Sequence, residues 1–514
     1  MKKIISILLC LAMLAGLLTG CSAAGTPKPY TPVGDELVEE KPETDQEQEE
    51  EQKQSFSLAY VPESSMNPLS ATELSNRVVL SLMYQGLFAV SRDNEILPIL
   101  CKNYRVSTDL TVYEFTIDPA ATFSDGVPVT PEDVVASLQE SRNHKYYGRR
   151  LSNLYSISVT EERTVRISLS QPNGNLPLLL DIPIVKASQI EAERPLGTGP
   201  YKLDGWGRDR ALVRRENWWC ESEDFLLTAE RIPLTSADSP ATIRDAFEFY
   251  DVGLVCTDPG SDRYAEYRCD YELWDCETGI FVYLGVNTES PAFENKAVRQ
   301  AISKAIDRDL LVDRYYRDFA MSAELPASPN AAFYAEPLAR QYAYDPVASQ
   351  TASVKGIPIR LLVNASDSLR VKVAQEIGRM LNAIGFLVEV DARSEDYYYG
   401  ALNHGEYDLY LGQTKLSPNM DLSPFFAENG PLKYGGMDDI ATYTICLQAL
   451  ENQGNYYALH QKVMDDAYLC PVLFRSYAVY ASRGLLTDLK PARDNLFCYS
   501  IGRTLTDAYI VQGS

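Results

Sequence analysis

Residues 281–308, FVYLGVNTESPAFENKAVRQAISKAIDR, set the pattern that the rest of the chain follows. The stretch begins as a short apolar strand, passes through a polar turn with Pro291, and continues as a helix for which Asn295 is a suitable N-cap. Its apolar side chains recur at the spacing of one helix face: Val298, Ala301, Ile302, Ala305, Ile306 and Leu310. A strand followed directly by an amphipathic helix predicts an α/β fold and does not by itself indicate a function.

The start of the chain predicts export from the cytoplasm. A basic MKK at residues 1–3 precedes an apolar run over residues 4–18. This run is shorter than the roughly 20 residues that span a bilayer as a helix, so we interpret it as a signal segment. It ends in LTGC at residues 18–21, which resembles a lipoprotein signal-peptidase site with Cys21 as the lipidated residue. An ordinary secretory signal with a chance cysteine is the alternative.

Residues 22–54 predict a disordered acidic linker. Between Asp35 and Lys53 there are ten acidic residues and two lysines, a formal charge of −8. Such a segment cannot bury enough apolar surface to offset the entropy lost on ordering, and its self-repulsion keeps it extended. We interpret it as a spacer between the membrane and the folded body, with a binding acidic tail as the alternative.

Composition limits the classes of function that the chain beyond the linker can have. The chain has 514 residues, which is too many for one hydrophobic core and suits two or three domains. Its formal net charge of −24 argues against nucleic-acid binding, which requires an excess of Lys and Arg. The ten cysteines include no CxxC pair, and the three histidines show no metal-ligand spacing, so we predict neither a metal nor a cofactor.

The first half of the chain contains locally readable blocks. Residues 74–87 predict a helix with Val78, Leu82 and Leu87 inward. Residues 111–117, TVYEFTI, alternate as a half-buried strand. The segment FSDGVPVTPEDV at 123–134 then combines an Asp-Gly turn with a helix start that has a hydroxyl cap, proline and acidic residues.

The second half continues the α/β rhythm. Residues 357–363 predict a strand, residues 366–385 a helix, and residues 386–390 a second strand, an order that implies a parallel pair. A helix over residues 459–467 precedes an apolar strand from residue 469, which continues through residues 476–482.

In their order and their residues, these blocks resemble the extracytoplasmic solute-binding proteins of dipeptide and oligopeptide ABC importers, family 5. The resemblance rests on the central stretch, FSDG with PVTPEDV, GTGPY at 197–201 and RRENWW at 214–219. It implies a periplasmic-binding-protein-like two-lobe α/β fold of type II, in the large three-subdomain variant, with a hinge and an interlobe cleft. The implied divisions of the chain follow that fold: signal peptide and lipobox 1–21, linker 22–54, lobe I 55–280 with an inserted subdomain at about 88–195, lobe II 281–475, and a return to lobe I over 476–514.

The resemblance also implies where a ligand is bound. Two loops would face the cleft, one from each lobe, with these contact residues: Ser65, Met66 and Asn67 from the first lobe, and Gln413, Thr414, Ser417, Asn419 and Asp421 from the second. In peptide binders of the family, an aspartate in the second loop pairs with the α-ammonium group of the ligand. This chain has Lys415, Leu416 and Ser417 at that position and retains Asp421 near a second one. Lys415 either favours an anionic group of the ligand or is solvated on the rim.

The function expected from the resemblance is that of a lipid-anchored receptor outside the cytoplasmic membrane, or on the periplasmic side where an outer membrane exists. It would capture a small peptide or related solute and deliver it to an ABC permease without catalysis. One alternative is a ligand-sensing lipoprotein of the same fold that takes no part in transport. A surface hydrolase is the other, although the chain contains no GxSxG and no HExxH motif.

Overall fold

Strands from distant parts of the sequence meet in one large mixed sheet. The computed structural model describes residues 56–220, 222–261, 264, 266–349, 353–437, 439–502 and 509–511, so the predicted signal segment, Cys21 and the acidic linker lie outside it. The strands are β1 Leu58–Tyr60, β2 Phe88–Val90, β3 Ile96–Pro98, β4 Cys101–Ser107, β5 Val112–Ile117, β6 Leu154–Glu161, β7 Thr164–Leu169, β8 Tyr201–Asp204, β9 Ala211–Arg214, β10 Arg231–Ser236, β11 Leu254–Thr257, β12 Tyr271–Val286, β13 Ala320–Ser322, β14 Pro358–Asn364, β15 Leu387–Arg393, β16 Leu409–Lys415, β17 Leu469–Ser482 and β18 Tyr509–Val511. The α-helices are α1 Leu74–Ser81, α2 Pro131–Ser141, α3 Pro240–Glu248, α4 Lys296–Ala305, α5 Arg308–Tyr316, α6 Glu336–Ala339, α7 Pro346–Ser349, α8 Ser368–Ile384, α9 Glu395–His404, α10 Ser423–Phe426, α11 Ile440–Glu451 and α12 Tyr456–Asp466.

Two long antiparallel strands, β12 and β17, run through the middle of this sheet. The order of the sheet is β15-β14-β16-β12-β17-β11-β1-β10-β9-β8, with β13 also paired to β17. The C-terminal half of β12 pairs with β16, whereas the C-terminal half of β17 pairs with β11. Both strands therefore cross from one half of the molecule to the other, as the family resemblance implies.

Separate hydrophobic cores lie on the two sides of this crossing. One core draws on residues between 56 and 276 together with residues 479–499, and it includes side chains of β4, β5, β6 and β7 of the smaller sheet β18-β4-β5-β7-β6. Two further cores draw on residues between 281 and 474. The two-lobe α/β architecture is therefore confirmed, while the exact limits of the lobes stay predictions.

Several local predictions are confirmed with their physical causes. The side chains of β5 alternate between buried and half-buried along the strand. At the start of α2, Thr130 and Asp133 form a reciprocal capping box ahead of Pro131. Helix α8 begins at Asp367, whose side chain accepts a hydrogen bond from the Arg370 N–H. It connects the parallel strands β14 and β15 in the predicted β-α-β order.

The predicted single helix after residue 296 is wrong, because the chain forms two helices there. Helix α4 ends at Ala305, Ile306 is extended, and the Asp307 carboxylate accepts from the Leu310 N–H at 3.0 Å to begin α5. The buried Arg308 guanidinium donates to the carbonyl groups of Ser303 and Ile306. These bonds satisfy the end of α4, so Leu310 belongs to the second helix and lies outside the predicted apolar face.

Helix α1 also ends earlier than predicted, at Ser81 instead of residue 87. The carbonyl groups of Leu82 and Met83 accept hydrogen bonds from Tyr201 and Gly199. Because the GTGPY turn occupies these carbonyls, the helix does not continue. Leu82 and Leu87 are nevertheless buried as predicted.

Candidate ligand-binding cleft

A group of charged side chains lies where the lobes face each other. Lys415, the last residue of β16 in the second lobe, donates from Nζ to Asp494 at 2.6 Å. It also donates to the hydroxyl group of Tyr146, a first-lobe residue, at 2.6 Å. Asp494 follows the crossing strand β17 in sequence. The lobes are thus joined here by an ion pair and a hydrogen bond as well as by the crossing strands.

Asp494 is the centre of this group. It pairs with Arg150, and Arg77 lies 3.7 Å away. Burial alone would raise the pKa of the Asp494 carboxyl, but the charges of Lys415, Arg150 and Arg77 outweigh it and hold that pKa well below its ordinary value. Arg150 is buried and also pairs with Asp181. We call the following residues the interlobe cluster: Arg77, Tyr146, Arg150, Asp181, Lys415, Arg493 and Asp494.

The ammonium group of Lys415 is in an unfavourable position despite its pairing. Its side chain keeps only 29% of its surface accessible. Burial lowers the pKa of Lys415, Asp494 opposes that effect, and the charges of Arg493, Arg150 and Arg77 lower it further, so that it reaches about 7. The expectation that Lys415 is solvated on the rim is therefore wrong, since the side chain is enclosed among other cations.

Arg493 brings a second buried cation to the same place. Its side chain is 8% exposed, and Nη2 donates to the Leu416 carbonyl of the second lobe. Within the described part of the chain, Nε and Nη1 have no hydrogen-bond partner. The guanidinium lies against Gly279, where a bulge in β12 gives the backbone a φ of +69°.

Three cavities meet at the interlobe cluster. The first, of about 130 Å³, has walls from both lobes that include Arg77, Tyr146, Lys415, Tyr477 and Asp494. The second, of about 70 Å³, shares Arg77 and Asp494 with it and adds Arg493. The third, of about 20 Å³, also contacts Arg493. Residues of the cluster therefore line three neighbouring cavities, of which the first and third have walls from both lobes and the second has walls from the first lobe alone.

Two thiols give the largest of these cavities an apolar side. Cys256 on β11 and Cys276 on β12 flank β17, and both line the cavity. Burial raises the pKa of Cys276 to about 12 and that of Cys256 well above its ordinary value. Both thiols are therefore protonated at neutral pH and serve as apolar surface.

The three contact residues expected in the first lobe make their contacts inside that lobe. Met66 is buried in the core. The Asn67 amide donates to the carbonyl groups of Ile190 and Ala192, and its oxygen accepts from the Leu69 N–H. Ser65 exchanges a hydrogen bond with Ser70. These bonds fix the loop, and the ligand role of the three residues stays a prediction.

The five residues expected in the second lobe divide into two groups. Gln413 accepts from Arg475 at 3.0 Å, and Thr414 accepts from Arg149 of the first lobe at 2.7 Å, so both lie where the lobes meet. The others are bonded within their own loop: Ser417 donates to Asn419, and Asp421 accepts from the backbone and side chain of Ser423. Burial raises the pKa of Asp421.

Sequence reasoning singled out Lys415 by its departure from the family pattern but missed its partners. Among the described residues, the linings of the three cavities include none of the eight expected contacts. Arg77, Arg150 and Arg493 lie far apart in sequence and carry no motif. Arg493 precedes Asp494 directly, but the approach of Arg77 and Arg150 to Asp494 exists only in the folded chain.

The described residues contain neither a metal-binding group of side chains nor a membrane-spanning helix. No group of three or more His, Cys, Asp or Glu side chains in this part is arranged to hold a metal ion. No described helix has the length and apolar character needed to cross a membrane.

Two lobes that are joined by crossing strands and face each other across a charged cleft are the architecture of a solute-binding protein that closes on its ligand. Residues 95–430, more than half of the chain, match the family model for the middle part of the bacterial extracellular solute-binding proteins, family 5. The chain belongs to this family and is a substrate-binding protein of an ABC importer for peptides or related solutes.

Individual relatives agree with this assignment. The glutathione-binding protein GsiB of Salmonella typhi is 25% identical over 396 residues, which cover 72% of this chain and 77% of that protein. The ABC transporter substrate-binding protein CtaP of Listeria monocytogenes has a similar structure, with a TM-score of 0.68 at 16% identity over 86% of this chain and 97% of that one. The unliganded open form of the periplasmic murein tripeptide-binding protein MppA has a TM-score of 0.70 with this chain. The two are 17% identical, over 84% of this chain and 93% of that one. The two structural comparisons support the fold.

Proposed function

We propose that the solute is held in the cavities along the interlobe cluster, and that Arg77, Tyr146, Lys415, Tyr477 and Arg493 contact it. The observation that carries this proposal is the meeting of both lobes around one cavity, with Lys415 on one side and Arg77 on the other. A ligand in contact with both walls stabilises the closed arrangement, because only that arrangement offers it both sets of contacts. Gln413 and Thr414 do not line these cavities, but they accept hydrogen bonds from Arg475 and Arg149 beside them.

The size of the cavities favours a small solute. The largest of the three cavities at the interlobe cluster holds about 130 Å³, whereas sites for drug-sized ligands commonly enclose roughly 300–1,000 Å³. A long peptide requires the lobes to part widely, while a compact solute of dipeptide size requires a smaller opening. Because relatives are named glutathione-binding proteins, glutathione is the first compound to test.

An ammonium clamp by Asp421 is not part of this proposal. Its carboxylate is half-buried and already accepts two hydrogen bonds from Ser423. If the solute carries an amino group, Glu277 at the rim of the largest cavity is the better-placed carboxylate, since it lines that cavity directly.

We also propose that the mature protein is attached to the outer face of the cell membrane through lipid on Cys21. The LTGC sequence supports this, and acyl chains on one residue hold a protein at a membrane. Labelling cells with a fatty-acid analogue is expected to mark the wild-type protein and not Cys21→Ala, which is expected in the soluble extracytoplasmic fraction. Equal labelling of both proteins would contradict the anchor.

The decisive experiment for solute capture is native mass spectrometry of the protein purified from its own cells, followed by calorimetry with the solute identified and with glutathione. We expect one solute per chain, released with unchanged mass. Ser65→Ala and Gln413→Ala, tested in parallel, separate the loop contacts expected from the family from those of the cluster. Chemical turnover of the solute by the purified protein would contradict a binding function without catalysis.

A further inference from the structure

The charged side chains of the interlobe cluster are unequal in number. Four cationic side chains converge there: Arg77, Arg150, Lys415 and Arg493. Two enclosed carboxylates, Asp181 and Asp494, pair with them. Glu277 at the rim is a third carboxylate, but it is partly exposed and accepts from Asn330. Within the described residues, the enclosed side chains therefore carry an excess of two positive charges. The excess is one when Glu277 is counted with them.

Arg493 carries the least satisfied part of this charge. Nε and Nη1 of its guanidinium have no hydrogen-bond partner among the described residues, although the side chain is only 8% exposed; Nε lies 3.8 Å from the Asp494 carboxylate, and Nη1 has no ion pair. A buried guanidinium without acceptors is costly, since each donor has lost its water. It lines the cavity of about 70 Å³, which shares Arg77 and Asp494 as walls with the larger cavity.

Lys415 responds to the same excess. Enclosed with Arg493, Arg150 and Arg77, its ammonium group loses its proton more readily than an ordinary lysine does. Release of that proton removes one unit of the excess charge. An anion in the adjoining cavity would remove the need for this release, because it would compensate the charge directly.

We propose that the solute is an anion with two carboxylates, one beside Arg77 and Lys415 in the larger cavity and the other at Arg493 in the smaller cavity. This inference rests on the proposed function and names its solute class. Two carboxylates compensate the two positive charges in excess among the enclosed side chains, while Glu277 at the partly exposed rim has its own donor in Asn330, and one of the two supplies an acceptor to Nη1 of Arg493. Charge-assisted hydrogen bonds of this kind are the strong ones in protein sites.

A neutral or cationic solute does not meet these requirements. A neutral molecule leaves the excess charge uncompensated, and a cationic one adds to it inside a cavity with low dielectric. Both an acidic dipeptide and a simple dicarboxylic acid carry the required groups, and the experiment separates these two sources.

The test is calorimetric titration of the full-length chain, in detergent and freed of bound solute, with Ala-Glu, Ala-Gln, Ala-Lys and glutarate at pH 7. Ala-Glu and Ala-Gln have the same shape and differ by one charge. We expect Ala-Glu to bind at least about tenfold more tightly than Ala-Gln, and Ala-Lys to bind most weakly. If the site takes simple dicarboxylates, glutarate binds as well; if it takes acidic peptides, Ala-Glu binds and glutarate does not.

Variants locate the effect. Arg493→Met is expected to reduce the preference for Ala-Glu over Ala-Gln to less than about threefold. Arg77→Met is expected to have the same effect and serves as the second variant in case Arg493→Met fails to fold. Arg208→Met, which changes an exposed arginine after β8, is the matched control and is expected to retain the preference. A retained preference in both cluster variants would overturn the assignment to these arginines.

The inference and the proposed function fail in different ways. Equal or tighter binding of Ala-Gln or Ala-Lys overturns the inference and leaves solute capture intact. The absence of binding by all four compounds also overturns the inference. Capture itself is judged by the solute found in native mass spectrometry, and a protein that carries and binds no solute overturns the proposed function as well.

Discussion

At the scale of single residues, Lys415 gives the cleft a measurable response to pH. Its pKa is about 7 in the folded protein and about 10.4 in an unfolded chain. Between these values the unfolded chain binds more protons than the folded protein, so the free energy of unfolding rises with pH across this window. We expect Lys415→Met to remove a slope on the order of 1 kcal/mol per pH unit between pH 7 and 9.

Urea unfolding of the solute-free protein at pH 7, 8 and 9 measures that slope. Lys202→Met, which replaces an exposed lysine on β8, is the matched control. Parallel pH profiles for the wild type and Lys415→Met would show that Lys415 titrates as an ordinary lysine, and the account of an enclosed cation would be incorrect.

His460 on α12 is a second buried group whose titration is predictable. It lies near the rings of Phe333 and Tyr456, and neither ring nitrogen has a hydrogen-bond partner in the described structure. Burial lowers its pKa to about 3. Because the unfolded histidine takes up a proton below pH 6.5, the wild type loses stability as the pH falls from 6.5 towards 3.

We expect His460→Met to stabilise the protein by about 1 kcal/mol at pH 7, since it removes buried polar atoms without partners, and by more at pH 5. Thermal unfolding at both pH values measures the effect. His404→Met, which replaces an exposed histidine on α9, is expected to change neither value appreciably. A loss of stability in His460→Met at pH 5 would indicate that the ring has a bonding partner.

The residues of the candidate site show what sequence can and cannot predict at this scale. Lys415 could be noticed because it stands where the family pattern has a different residue type. Arg77 and Arg493 could not, since an isolated arginine on a helix or in a loop is ordinary on any surface. The role of Arg77 and Arg150 depends on which carboxylate they meet, and Asp494 is more than 300 positions from Arg150.

At the scale of elements, the bulge in β12 couples the crossing strand to the site. Gly279 has a φ of +69°, and a Cβ there would meet the Arg493 guanidinium at 2.3 Å. Gly279→Ala is therefore expected to destabilise the protein by about 2 kcal/mol or more, from backbone strain and from displacement of Arg493. It is also expected to weaken any preference for acidic solutes.

Gly484→Ala provides the matched control for this substitution. Gly484 has a similar φ of +76° but nothing within 4 Å of the added methyl group, so it incurs the backbone strain alone, about 1 kcal/mol. Denaturant unfolding of both variants isolates the contribution of the Arg493 contact as the difference between them. Equal losses would mean that the guanidinium moves aside freely.

Elements with strong periodicity were predicted from sequence, and elements that end through distant contacts were not. The β14-α8-β15 unit has its cap at Asp367 and its stop at Gly385 within the local sequence, so its course could be read directly. The break between α4 and α5 depends on buried hydrogen bonds of Arg308, including one to Pro471, which local periodicity does not reveal. The apolar spacing continued through Leu310, and tertiary contacts overrode it.

At the scale of the whole molecule, the described residues of the two lobes make contacts besides those of the crossing strands, and two of these places lie outside the interlobe cluster itself. Arg149 donates to Thr414 beside the interlobe cluster. In the other place, the Gly174 N–H donates to the Leu450 carbonyl of α11, and Gln453 donates to Asn175. These contacts hold the lobes together, and an opening of the lobes about the crossing strands β12 and β17 would have to break them. Their strength therefore sets the balance between closed and open forms.

Arg149→Ala tests this balance without changing a cavity wall. Loss of the Thr414 hydrogen bond costs the closed form about 0.5–1.5 kcal/mol, which corresponds to a loss of affinity of roughly 2- to 10-fold. Because the change acts on the population of the closed form, it is expected to weaken every solute by the same factor and to leave the Ala-Glu to Ala-Gln ratio as in the wild type. Small-angle scattering of the solute-free protein is expected to give a larger radius of gyration than that of the wild type, with saturating solute restoring the wild-type value. A change in the ratio between solutes, with no change in radius, would instead place Arg149 in direct contact with the ligand.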